Sequence, residues 1–367
     1  MSLNFFTFEG KGLMDERQEL FVNAFPETIG LPSSSVQHYQ WKFYDFPYAG
    51  VAQYGVRLEN RLVGYYAALP YRYRLGGQKI QNFGMVCDVM THSQARGCGI
   101  FTKLGAYALS EMEEKLNAPI VTGFPVRPEV IPGHLKVGWK VLFDLPVYII
   151  PFASPTKFLS GAFLFLRPIA TLFFFLYRSL VSAFLWTLSS SKFHLKMSKV
   201  NGEFFDRRDV KNFYKEANPG VFIQLERESD FLQWRFSAPE VSYAAIEIFE
   251  GEKIESILLC RNTELKEVAS LAILDFSTSK EFRSIRSNFA VWKAFGLLYK
   301  KRRFAFVAAM TNPSTAKRLA LLSLSFLKSP LSFKFISRGF SSLGEPVERR
   351  FLKEDSWHLM WLDSDDL

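Results

Sequence analysis

MVCDVMTHSQARGCGIFTKLGAYALSEMEEKL, residues Met85–Leu116, reads as a strand, a glycine turn and a helix. Met85–Met90 is a short apolar run with β-branched Val86 and Val89. Thr91–Gln94 is polar, and Gly97 and Gly99 follow where a side chain would hinder the backbone or its close approach to a ligand. From Ile100 the apolar residues Phe101, Leu104, Ala108, Met112 and Leu116 keep helical spacing. A glycine turn feeding a helix start presents unpaired N–H groups and the positive end of the helix dipole, which suits a phosphate-bearing ligand.

The surroundings of this stretch set its context. At 367 residues the chain is long enough for two domains. A hydrophobic fraction of 48% and a charged fraction of 22% describe a folded chain rather than a disordered one. Cys87, Cys98 and Cys260 have no metal-ligand spacing and cannot all pair, so reduced thiols, a cytoplasmic setting and no metal are expected. The N-terminus lacks a basic segment followed by a long apolar run and does not read as a signal peptide. A net charge of +9 is compatible with CoA phosphates, RNA or acidic lipid, and selects none of them.

In chain order, Asp15–Ala24 reads as a short helix and Ser33–Ser35 as a loop. Tyr54–Leu58 and Leu62–Leu69 read as strands, and Tyr71–Leu75 and Ile80–Asn82 as a hairpin around Gly76-Gly77. After the Met85–Leu116 unit come strands at Ile120–Phe124 and Val141–Tyr148. The order is α+β with a mixed, mostly antiparallel sheet.

Gln94-Ala95-Arg96-Gly97-Cys98-Gly99 resembles the Q/R-x-x-G-x-G/A element of the GNAT N-acetyltransferase superfamily. His134-Leu135-Lys136-Val137-Gly138-Trp139 resembles that family's Y-x-K-x-G-F-like phrase at the expected distance. The resemblance covers about Phe21–Pro151. It implies that acetyl-CoA or another acyl-CoA lies along Val89, Met90, Thr91, Gln94, Arg96, Gly97, Cys98, Gly99, Ile100, Phe101 and Thr102. Two departures stand out. His134 replaces the tyrosine that in many members protonates the leaving thiolate, and Arg127 replaces a frequent asparagine. His134 is then the candidate acid, or a surface histidine; Asp88 is the candidate base, or a sheet carboxylate satisfied by a neighbour. Cys98 reads as a filler between two glycines rather than an activated thiol.

Beyond Pro151 the composition changes. Phe158–Trp186 is strongly apolar, but Arg167, Pro168 and Arg178 leave uncharged runs of about ten residues, short of a membrane span. Ser160, Arg167, Thr171, Arg178, Ser182 and Ser189 fall in one narrow helical stripe. Three readings stay open: a helix buried between domains, an interfacial helix on an anionic membrane, and a re-entrant hairpin bent at Pro168.

The second half repeats the first. Gln233-Trp234-Arg235-Phe236 echoes Gln40-Trp41-Lys42-Phe43. Ala269–Phe276, Phe282–Lys300 and Phe304–Met310 follow in the strand–helix–strand order of the first copy. The shared tryptophans are expected in the core, with Lys42 and Arg235 pointing outward. The second copy has no glycine between Asp275 and Arg286, so it keeps the fold and loses the loop. Lys300–Arg303 reads as a solvated helix end or an anion-facing patch.

The expected architecture is two tandem GNAT-like (acyl-CoA N-acyltransferase) domains, 1–151 and 192–367, joined by a Phe-rich helical connector at 152–191. The expected activity is transfer of an acyl group, acetyl first, from CoA to an amine such as an amino sugar or another membrane-proximal acceptor. Two other classes remain: an aminoacyl-tRNA-dependent peptidyltransferase, against which the glycine loop counts, and a non-catalytic CoA-binding or membrane-associated protein. The leading reading involves no nucleic acid.

Overall fold

A computed structural model describes residues 3–8, 11–77, 79–152, 167–188, 193–265, 267–279, 284–321, 324–341 and 343–365. The first half contributes strands β1 (Leu3–Thr7), β2 (Ala52–Leu58), β3 (Arg61–Leu75), β4 (Lys79–Thr91), β5 (Ile120–Gly123) and β6 (Lys140–Pro151). Its helices are α1 (Met14–Ala24), α2 (Val36–Tyr39), α3 (Ile100–Leu116) and α4 (Ile131–Lys136). The connector holds α5 (Arg167–Leu188). The second half follows with β7 (Phe193–Lys199), α6 (Gly202–Asp206), α7 (Arg208–Glu216), β8 (Ile223–Leu225) and α8 (Ser229–Arg235). It continues through β9 (Tyr243–Glu250), β10 (Lys253–Leu265), β11 (Val268–Thr278), α9 (Ser284–Arg302) and β12 (Phe306–Met310). Last come α10 (Pro313–Arg318), β13 (Leu327–Gly339), α11 (Glu345–Phe351) and β14 (Trp357–His358).

The two halves share one sheet, in the order β1-β2-β3-β4-β5-β13-β6-β12-β11-β10-β9-β7. The order is a near-mirror about its centre. In each half the glycine-loop strand or its counterpart runs parallel to the next, β4 to β5 and β11 to β12. The central strands are exchanged. β13, from the second half, pairs with β5 through Ile336–Gly339, and β6, from the first half, pairs with β12 through Val147–Pro151. β6 and β13 then pair antiparallel with each other. The Val141–Tyr148 segment therefore is a strand, but it completes the other half's sheet.

The hairpin expected around Gly76-Gly77 is present, its two short strands being the ends of the longer β3 and β4. β3 runs unbroken through Pro70, which falls between the end of β2 pairing at Ala68 and the start of β8 pairing at Tyr73. A strand position with no neighbour on one side tolerates a missing N–H. At Gly84 of β4 an added Cβ would lie 2.5 Å from Leu116 and 2.8 Å from Val121, so α3 and β5 pack down on bare backbone there.

Helix α3 covers β2–β4 through Leu104, Ala108, Met112 and Leu116, and α9 covers the second half through Val291, Phe295 and Leu298. The opposite face of the sheet carries one core shared by both halves, including Tyr39, Trp41, Phe231, Trp234 and Trp357. Both repeat tryptophans are buried as expected, but Lys42 and Arg235 are buried too, 6% and 3% exposed. Their partners lie in the C-terminal segment: Lys42 meets Asp365, and Arg235 donates to the Ser364 carbonyl.

The connector is helical from Arg167, with Pro168 in the first turn, where its missing N–H costs nothing. One side packs on α9, with Val181 against its core, Phe174 buried and Tyr177 half-buried. Tyr177 Oη donates to the Ser325 carbonyl at 3.0 Å. The other side is exposed, so α5 is not enclosed between domains. Phe158–Leu166 and Ser189–Ser191, and the side chains of the Arg167, Thr171, Arg178 and Ser182 stripe, lie outside the described residues. Among the described residues no helix is long and apolar enough to cross a membrane.

Candidate active site

The site begins with a bulge. β4 pairs with β5 at Gly84, Met85 and Val86. Opposite β3, Cys87 faces Ala67 and Met90 faces Tyr65, so Asp88 and Val89 together occupy the space of one residue. Asp88 takes a left-handed φ of 48°, a conformation a non-glycine residue adopts at a cost. The strand then turns at Ser93–Ala95, where His92 Nδ1 accepts from the Gln94 N–H at 3.2 Å. Gly97 and Gly99 have φ of 80° and 71°, the region that favours glycine. Gly99 begins α3 without a side-chain cap. Lys103 N–H reaches back to Gly99 O, so the amides of Ile100, Phe101 and Thr102 precede the first closed helical turn.

A cavity of about 770 Å³ runs along this loop. Val89, Met90, Thr91, Arg96, Gly97, Gly99, Ile100, Phe101 and Thr102 line it, as does Lys136. Thr91 Oγ1 is buried there without a hydrogen-bond partner. Two expected residues are not in the lining. Gln94 Oε1 accepts from Arg61 at 3.3 Å, and Cys98 is an exposed free thiol.

A second cavity of about 370 Å³ adjoins the first, sharing Phe25, Val89, Arg127 and Val130. Asp88 and His134 both line it. Asp88 is 11% exposed and is gripped by Arg17 and by Lys42 Nζ at 2.8 Å. Lys42 also reaches Asp365 Oδ2 at 2.7 Å, so the C-terminal segment supplies a wall of the first half's cavity. Burial works against the Asp88 carboxylate, but Lys42 and Arg17 outweigh it and hold the group below its usual pKa. Burial likewise opposes the Lys42 ammonium, and Asp365 and Asp88 outweigh it in turn. Arg127 forms an ion pair with Glu27 and lies over the Phe25 ring.

His134 packs edge-on to Phe101 and Trp139, with ring centroids 5.0 and 5.2 Å away. Burial lowers its pKa to about 4, and its Nδ1 has no hydrogen-bond partner. The imidazole is therefore neutral near pH 7; the residue lines the cavity, while Nδ1 itself is shielded. His38, from α2, also lines the cavity, and burial followed by the Lys42 charge lowers its pKa to about 3. Lys42, Asp365, Arg17 and His38 were not among the expected site residues. Their one sequence signal is the basic residue repeated after both tryptophans.

The counterpart of Asp88 in the second half is spent on structure. Asp275 is fully buried, bound by Arg227 at 2.6 Å and by Ser277 Oγ at 2.7 Å.

A family model described as an acetyltransferase (GNAT) domain matches residues 13–141, about a third of the chain. The first half has the GNAT acyltransferase fold. Solved structures extend the likeness to the whole chain as a fold. A tandem GNAT protein from the clavulanic acid biosynthesis pathway matches with a TM-score of 0.59 at 13% identity, over 93% of this chain and 100% of that one. A probable N-acyltransferase from Enterococcus faecalis V583 matches at 0.59 and 13% identity, over 92% and 73%. Saccharomyces cerevisiae N-myristoyltransferase with bound myristoyl-CoA matches at 0.57 and 13% identity, over 93% and 80%. No curated protein sequence matches the chain. The chain is thus a tandem GNAT fold, with its GNAT loop in the first copy.

Proposed function

We propose that the protein transfers an acyl group, acetyl first, from acyl-CoA to an amine. The observation that carries this reading is the union of the Gly97–Thr102 helix start and the Asp88–Val89 bulge along one cavity that opens into a second. The uncapped amides of α3 suit the pyrophosphate, with Arg96 and Lys136 in the same lining. Val89, Met90 and Thr91 suit the pantetheine arm and the thioester carbonyl.

In the reaction the amine nitrogen attacks the thioester carbon, a C–N bond forms, and the C–S bond breaks to release the CoA thiolate. The nitrogen, arriving as an ammonium, loses two protons: one to solvent before it attacks, and one from the adduct, which the thiolate gains. Asp88 stays ionised between two cations, so it suits holding the incoming ammonium better than keeping its proton. Neutral His134, in the lining of the second cavity, suits carrying a proton from the tetrahedral adduct to the thiolate. The nitrogen of that adduct is a stronger acid than the free ammonium, so a weakly basic imidazole is sufficient there.

Calorimetric titration with acetyl-CoA, beside the variant Gly97→Glu, tests the reading. At Gly97 an added Cβ meets nothing within 4 Å, but the φ of 80° strains any side chain, so the variant disturbs the loop through its backbone as well as through its carboxylate. Binding by the wild type and its loss in the variant are expected, followed by free thiol release with an amine acceptor. A wild type that does not bind acetyl-CoA overturns the proposal.

A further inference from the structure

Helix α5 divides cleanly into two faces. Phe174, Tyr177 and Val181, spaced by three and four, are buried or half-buried, Val181 against the α9 core. Ile169, Leu172, Phe173, Phe175, Leu176 and Leu180 are exposed, Phe173 and Leu180 by 68% and 70%. Six large apolar side chains on one helix form a patch that water alone covers poorly. The patch continues onto the sheet. Leu327, two residues beyond the Ser325 that anchors Tyr177, is also exposed.

The sequence stretches that hold α5 and α9 carry charge of one sign. No acidic residue occurs between Asp144 and Glu203, a stretch that contains α5, or between Glu281 and Glu345, a stretch that contains α9, against which α5 packs. The two stretches hold 18 of the chain's 45 Lys and Arg residues. The rest of the chain holds 27 basic residues against all 36 acidic ones. The entire positive surplus is therefore carried by these two stretches, although Lys334 pairs with Asp144 and Arg318 is buried against His358, away from α5. Lys293, Lys300 and Lys301 of α9 are exposed, as is Lys328 beside Leu327. An exposed apolar helix face packed beside a helix with exposed lysines matches a surface that is itself apolar below and negative above.

We infer that α5 docks this face on an anionic lipid bilayer, lying in the interface with its exposed apolar side chains among the acyl chains and the α9 lysines at headgroup level. The chain stays on the membrane rather than through it. The inference does not depend on acyl transfer, and its assay needs no CoA.

The test is sedimentation of the full chain with phosphatidylcholine–phosphatidylglycerol vesicles and with pure phosphatidylcholine vesicles, for the wild type and for Phe173→Glu/Leu176→Glu/Leu180→Glu. The three positions are exposed, so the variant is expected to keep its fold, checked by its melting curve. Wild type should bind the anionic vesicles at least about tenfold more tightly than the neutral ones, and less so as salt screens the lysines. The triple variant should lose binding. A wild type that stays in the supernatant with anionic vesicles overturns the inference, as does equal binding by a folded triple variant or by neutral vesicles. So does a dimer in analytical ultracentrifugation that the triple variant abolishes in the absence of vesicle binding, since a second copy would then be the occupant.

Discussion

Trp41 and Trp234 hold the two halves together by a reciprocal pair of bonds. Each indole N–H donates to the other residue's carbonyl, at 2.7 and 2.8 Å, and the rings stack 5.0 Å apart and 12° from parallel. Their shared place in the repeated phrase and their mutual contact are one fact: the pseudo-twofold axis passes between them. Trp234→Phe keeps an aromatic ring and removes one donor, leaving the buried Trp41 carbonyl unpaired, at a cost of about 1–3 kcal/mol. Trp41→Phe should cost less, because the Trp234 carbonyl keeps the Ser237 N–H and hydroxyl as donors. Because each residue is both donor and acceptor for the other, the double variant should depart from additivity by about 0.5–3 kcal/mol. Urea unfolding of the four proteins measures this, and strict additivity would show that the stack does not couple the halves.

Much of this arrangement was readable before any coordinates, and what was not has a common cause. The glycines at 97 and 99, the apolar spacing of α3 and the repeated tryptophan phrase are local signals that the structure uses as written. Strand exchange has no local signal. The Val141–Tyr148 run is apolar whichever neighbour it pairs with, and nothing in it names β12 over β5. Lys42 was expected outward because a lysine beside a core tryptophan usually reaches water. Its partners, Asp88 and Asp365, are 46 and 323 residues away, so the ion pairs that bury it could not be read from its surroundings. The exposed side of α5 is one of the readings its sequence leaves open, because an apolar composition suits a buried helix and an interfacial one alike.

The exchanged strands make each half incomplete alone. A fragment ending at Pro151 retains β6 but lacks β13, leaving the β5 edge and its Ile336 contacts open. It is expected to be insoluble or poorly structured when made alone. Co-expression with a fragment beginning after the connector should restore a soluble pair, seen as co-elution and dispersed amide resonances. A folded, monomeric first fragment would mean that β6 can turn back to fill the place of β13.

Asp88→Asn separates positioning from cofactor affinity. The change removes the anion between Arg17 and Lys42, while Lys42 keeps Asp365. Breaking a buried pair by removing one partner costs about 3–5 kcal/mol, and the retained Asp365 pair places this variant at the lower end. Acetyl-CoA affinity should be unchanged, because the carboxylate lines the second cavity and not the loop cavity. The KM for the amine should rise and kcat should fall. Unaltered amine kinetics in a folded variant would remove Asp88 from the reaction.

His134 gives the clearest dependence on pH. Burial lowers its pKa to about 4 from 6.5, so between those values the unfolded chain binds a proton that the folded one refuses. Stability from this residue is thus complete above pH 6.5 and is lost as the pH falls through 4, a change of about 3 kcal/mol. His38 and His358, each lowered to about 3 chiefly by burial, act in the same direction. Asp363 acts oppositely. Its buried carboxyl is raised to about 7, so its contribution fades as the pH rises from 3.8 through 7. The comparison of wild type with His134→Gln cancels the other three groups. Urea midpoints taken from pH 7 down to pH 4 should fall less steeply for the variant. The same neutral imidazole sets the rate profile: kcat/KM should show no histidine limb near 6.5, and loss of a proton carrier should lower kcat by about 10²–10⁴ in the variant. A limb at 6.5 that disappears in His134→Gln would place the ring in water rather than between Phe101 and Trp139.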